Sequence, residues 1–82
     1  MKLTVLFTDV YDGHEYRRTE TIDTPAAPAD VESADFADWA YDHIRTHTGR
    51  PGQAHHESGY FAEIKECDER PDLVGHEFEW GI

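Results

Sequence analysis

Basic residues are scarce in this chain: seven Lys and Arg stand against eighteen Asp and Glu in 82 positions, for a formal net charge of -11. Affinity for nucleic acid comes largely from Lys and Arg displacing condensed counterions, and anionic lipid attracts the same residues. The chain is therefore expected to bind neither nucleic acid directly nor a membrane surface. Cysteine is almost missing too. The lone Cys67 cannot close an intramolecular disulfide, so the staples of small secreted domains are lacking and the expected compartment is the cytoplasm. No stretch approaches the roughly 20 apolar residues that span a bilayer. The apolar opening from Met1 to Phe7 is interrupted at Asp9, with no small-residue cleavage site of the kind that ends a signal peptide.

What is present is acid spread along the whole chain. Residues 1–24, 25–49 and 50–82 are each net negative, by two, four and five charges. A disordered acidic tail would gather its charge in one run and lack aromatics. Here ten aromatic residues, among them Phe36, Trp39, Phe78 and Trp80, supply apolar bulk for one small core, and residues 1–82 read as a single domain. A domain this short buries only about 60% of the surface its unfolded chain exposes, so modest stability is expected.

Periodicity then suggests the elements. Leu3, Val5 and Phe7 alternate with Lys2, Thr4 and Thr8, and the run ends at Asp12-Gly13, a strong two-residue hairpin signal. With those two residues as the turn, Leu3 falls opposite Ile22 and Tyr16 joins the face of Val5 and Phe7, whereas Thr4, Thr8, Arg17, Thr19 and Thr21 face the other way. The connector Thr24-Pro25-Ala26-Ala27-Pro28 leads to Asp30 as the expected cap of a helix over 30–48. At about 100° per residue, Phe36, Trp39, Ala40, His43, Ile44 and His47 share its inner face and Asp35, Asp38 and Asp42 the outer one. Gly49 and Pro51 end it, and 50–58 reads as a polar loop. Strands follow over 60–67 and 73–80, joined by a turn at 68–72. In the last strand Val74, His76, Phe78, Trp80 and Ile82 alternate with Gly75, Glu77 and Glu79, which implies an apolar face and an acidic, solvated one.

The expected fold is α+β, in the order ββαββ. Four mainly antiparallel strands carry one helix packed on one face, around Leu3, Val5, Phe7, Phe36, Ala40, Ile44, Ile64, Phe78 and Trp80. The pattern leaves open whether the terminal strands pair at the centre, as in a β-grasp arrangement.

Two acidic surfaces are the candidate partner-binding sites. Asp35, Asp38 and Asp42, at i, i+3 and i+7, form a helical row with neighbours roughly 5–6 Å apart, a spacing not far from that of successive phosphates. Glu77 and Glu79 share the strand face. Carboxylates open to water lack the burial that shifts pKa values toward acid–base catalysis, and a single sheet with one helix leaves little room for an enclosed pocket. No catalytic residue, and hence no enzyme, is expected. His43 and His47 at i, i+4 have a spacing that can grip a metal, with Cys67, His55, His56 and His76 as further donors. No Cys-x-x-Cys or His-Glu-x-x-His accompanies them, so neither metal nor other cofactor is expected. Cys67, between Glu66 and Asp68, lies in a field that disfavours the thiolate.

The function expected is a small acidic protein-binding module that presents carboxylates to a basic surface of another protein. A nucleic-acid-binding protein, inhibited by mimicry of its ligand, is one such target. In size and charge the chain resembles small acidic phage accessory and counter-defence proteins, which implies the same inhibitory role. The alternatives are a structural or oligomerising domain, as a homodimer, whose acidity serves solubility or salt adaptation, and a histidine-based metal-binding protein.

Overall fold

A computed structural model describes residues 1–11, 13–48 and 58–81, with Ser58 and Gly81 described by backbone alone. The alternating residues at the start form strand β1 (Lys2–Tyr11), which turns back into β2 (His14–Asp23). Leu3 pairs with Ile22 and Tyr11 with His14, the register that the two-residue turn dictates. Gly13, at φ 85°, provides the left-handed backbone that such a turn needs and that side chains resist. The pairing continues one step past the strands. The Met1 ammonium donates to the Thr24 carbonyl at 2.6 Å, and the Thr24 amide donates to the Met1 carbonyl at 2.8 Å.

The helix is shorter than the sequence suggests: α1 runs Ala34–His43 rather than 30–48. Asp30 does not cap it, because its carboxylate accepts from the Glu32 amide at 2.9 Å and so closes a separate turn ahead of the helix. Ser33 is the cap, its hydroxyl accepting from the Phe36 amide at 3.2 Å. At the other end Ile44 leaves the α-helix and residues Arg45–His47 tighten into a 3-10 turn. Thr48 closes that turn through its hydroxyl on the Arg45 carbonyl at 2.6 Å. Gly49, Pro51 and most of the expected polar loop lie outside the described residues.

Strand β3 (Ser58–Glu66) pairs antiparallel with β1, and β4 (Glu77–Gly81) pairs antiparallel with β3, so the sheet order is β2-β1-β3-β4. Since β2 and β3 both oppose β1, they run parallel to each other and α1 lies on the crossover between them. The expected α+β fold is thus present, an antiparallel four-stranded sheet with one helix. The terminal strands do not pair: β1 is internal and β4 is an edge, which differs from the β-grasp alternative. The first pairing, which a tight turn makes local, has already taken one side of β1, and β3 occupies the other.

Two irregularities set which residues turn inward. The register shifts between Thr4 and Val5, with Thr4 opposite Glu66 and Val5 opposite Ile64, so Lys65 is an extra residue. That bulge returns Cys67 to the buried side. The second departs from the sequence reading of a strand over 73–80. Pro71 opens a 3-10 turn, Pro71–Leu73, which buries Leu73 completely and leaves Val74 exposed. Gly75 at φ 96° then redirects the chain, its amide donating to the Ile64 carbonyl at 2.8 Å. Arg70 fastens this turn to the connector before α1, through Asp72 at 2.8 and 2.9 Å and the Ala27 and Pro28 carbonyls at 3.3 Å.

The core lies between α1 and the sheet. Leu3, Val5 and Phe7 of β1 and Ala62 and Ile64 of β3 meet Phe36, Trp39, Ala40 and Ile44, with Ile22 and Leu73 at its margins. Phe78 and Trp80, expected inside, are only partly buried and stack at 5.6 Å on its edge, because β4 is the outermost strand. Replacing Phe36 by Ala is expected to cost about 3–5 kcal/mol, and Phe78→Ala clearly less, since truncation cost scales with the buried volume lost. Urea denaturation of the two variants measures the difference; equal losses would mean that the β4 edge is as well packed as the centre.

Candidate protein-binding surface

One helix covers one face of the sheet, so the period of two along every strand sorts side chains into a packed set and an open set. On the open face the register lines up rows across the strands. Thr19, Leu6, Glu63 and Glu77 form one row; Arg17, Thr8, Phe61 and Glu79 form the next. Between β1, β3 and β4 these residues enclose a shallow groove of about 360 Å³, lined by Leu6, Thr8, Phe61, Glu63, Glu77 and Glu79. Its floor is apolar, with Phe61 38% exposed and Leu6 half-buried, and its β4 side is acidic. The Phe61 ring leans along the strand toward Gly59.

Glu63 and Glu77 are direct cross-strand partners. Opposed like charges on neighbouring strands destabilise a sheet. Lys65 offsets part of this by donating to Glu63 at 2.9 Å. Three carboxylates against one ammonium leave this side of the groove negative.

The sequence candidates fall on two separate surfaces. Asp35, Asp38 and Asp42 are exposed on the outer side of α1, and Glu77 and Glu79 are exposed on the open sheet face, with both layers of the fold between the groups. No single partner surface of ordinary flatness touches both. Sequence reasoning missed Leu6, Phe61 and Glu63. The signal was available in the third strand, where Phe61, Glu63 and Lys65 alternate with the core residues Ala62 and Ile64, but Glu63 meets Glu77 only through the tertiary register.

The histidines are not assembled as the helical spacing suggests. His43 is half-buried in the last turn of α1, whereas His47 lies beyond the helix in the 3-10 turn, exposed to solvent although its ring stays on the inner side, 6.3 Å from that of Phe7. His76 packs instead against Phe36, with rings 5.7 Å apart, and Cys67 is a buried free thiol. Among the described residues no group of three or more His, Cys, Asp or Glu is placed to hold a metal ion. His55 and His56 lie outside those residues.

The sequence also gave no warning of a buried carboxylate. Asp9 faces the helix side of the sheet at 0% exposure and accepts from Arg18 at 2.6 Å. Arg18 also donates to Glu20 at 2.9 Å and to the His47 carbonyl, while its guanidinium lies 5.1 Å from the centre of the Phe7 ring. Burial opposes the charge on Arg18, but its bonds and proximity to Asp9 and Glu20 prevail and hold it still more firmly protonated. A buried carboxyl group is a familiar mark of catalysis. This one is engaged in joining β1, β2 and the turn after α1. Among the described residues no helix is long and apolar enough to cross a membrane.

No protein-family model, curated protein or solved structure shows a significant match to this chain. Two stability measurements probe the surface. Arg18→Met is expected to cost about 3 kcal/mol by taking the guanidinium away from buried Asp9, and adding Asp9→Asn should restore much of the loss, because a neutral replacement of both partners removes the buried ion pair. Glu77→Lys should raise stability by about 0.2–1 kcal/mol, as a like-charge pair with Glu63 becomes an opposite one. Denaturant midpoints report both effects.

Proposed function

We propose that this protein is a non-enzymatic cytoplasmic binding module that presents carboxylates to a basic surface of another protein. Blocking the nucleic-acid-binding face of such a partner is the inhibitory form of the same action. The observation that carries the reading is the sheet face opposite α1, which no described residue covers and where Glu63 and Glu77 are held opposite each other beside an exposed aromatic ring. A fold selected for stability alone would relieve that pair, and departures from local consistency are expected where function competes with folding. The exposed row Asp35, Asp38 and Asp42 offers a second acidic surface for the same class of partner. In support of a binding role without catalysis, the buried carboxylate Asp9 is tied to Arg18 and the groove carboxylates stand in contact with water. The free, buried Cys67 fits a reducing compartment.

The test compares two double variants, Glu77→Lys with Glu79→Lys and Asp38→Lys with Asp42→Lys, for binding to a basic partner captured from the host at low salt and then purified. At least one should bind roughly threefold to tenfold more weakly, with a slower association rate and a flatter salt dependence, while neither melts clearly below the parent. Parental affinity and salt dependence in both would refute the proposal and leave the acidity to solubility.

A further inference from the structure

We infer that the open sheet face is a seat for an amphipathic helix of a partner protein, whose apolar stripe lies over Leu6 and Phe61 and whose Lys or Arg residues flank that stripe on one side only. This deepens the binding role proposed above and rests on it.

The dimensions fit. Neighbouring strands are 4.7–4.9 Å apart, so the step from β1 across β3 to β4 is about 10 Å, close to the 10–12 Å diameter of a helix with its side chains. The opposite face of the same strands already accommodates α1, through Val5, Ile64 and their neighbours. An extended segment would instead seek a sheet edge, where unpaired backbone groups await it; a face offers none.

The chemistry across the groove is asymmetric. Leu6, Val10 and Phe61 form an apolar strip along β1 and β3, partly exposed with nothing packed over it among the described residues. On the β4 side stand Glu63, Glu77 and Glu79, with Lys65 neutralising one of them. On the β2 side stand Thr19 and Arg17, the latter 3.7 Å from Glu15. Cations are therefore favoured on one flank of an incoming helix and not on the other. A second copy of this chain is disfavoured as the occupant, because each molecule carries a net charge of -11 and like-charged molecules repel.

The folded full chain provides the test. The probe is a peptide of about 18 residues, long enough for marginal helicity, with leucines at i, i+3, i+4 and i+7 and lysines along one flank. A scrambled peptide of identical composition is the control. Amide shifts on titration should cluster around Leu6, Phe61, Glu63, Glu77 and Glu79, and saturate at physiological ionic strength. Glu77→Gln with Glu79→Gln should weaken binding about threefold or more, and Phe61→Ser about tenfold, each factor of ten being 1.4 kcal/mol. Thermal melts accompany each variant; if Phe61→Ser unfolds, the glutamine pair and the shift map carry the test. Shifts centred on Asp35, Asp38 and Asp42 would overturn this seat while leaving the basic-partner reading intact. Equal binding of the scrambled peptide, lost as salt rises, would reduce the face to a diffuse charge and overturn the seat as well. Absence of binding by either peptide even at low salt would count against both. A dimer in sedimentation that protects the open face would assign it to a second copy and refute the seat.

Discussion

Every ladder that joins β2 to the remainder of the sheet runs through β1, which is paired along its whole length on one side and over most of it on the other. A strand in that position has no freedom to slip. Moving it by one residue would expel Leu3, Val5 and Phe7 from the core and bring in Thr4, Leu6 and Thr8. The two-residue turn at one end and the Met1 to Thr24 pair at the other hold the register, and the remaining elements are placed relative to it. The helix must lie over the odd-numbered residues of β1, and the even-numbered ones become the open face.

Asp9 adds an electrostatic constraint to this apolar one. It occupies a core-facing position of β1, where an apolar residue would be expected, and draws in Arg18 from β2 and, through Arg18, the carbonyl of His47 after the helix. A buried ion pair is weak evidence of net stability, since desolvation offsets much of its attraction. What it supplies here is a connection: two strands and the 3-10 turn after α1 share one guanidinium. Arg70 does the corresponding work at the opposite connection, linking the turn before β4 to the segment before α1.

With a single α-helix among the described residues, this fold covers one face of its sheet, and none of those residues packs over the other. An ordinary solution would be an open face that is uniformly polar. Here β2 follows that pattern with Thr19 and Thr21, whereas β1 and β3 expose Leu6, Val10 and Phe61 and bring Glu63 against Glu77. The apolar part and the crowded carboxylates lie side by side, and the proposed binding role rests on that juxtaposition.

Much of the fold was legible because its determinants are local. The hairpin register follows from Asp12-Gly13 and a period of two, and the buried stripe Phe36, Trp39, Ala40 and Ile44 follows from a period of 3.6. Boundaries were less legible where two signals competed: Asp30 and Ser33 are both good caps, and only the bond from Asp30 to the Glu32 amide decides between them. Leu73 and Val74 exchanged places because a 3-10 turn and a left-handed glycine interrupted the alternation. By itself the sequence determined the strand and helix types, the acidity and the lack of any covalent staple, since composition and short-range periodicity encode them. The strand order, the burial of Asp9 beneath Arg18 and the meeting of Glu63 with Glu77 were decided by tertiary structure, because each depends on pairing between segments far apart in the chain.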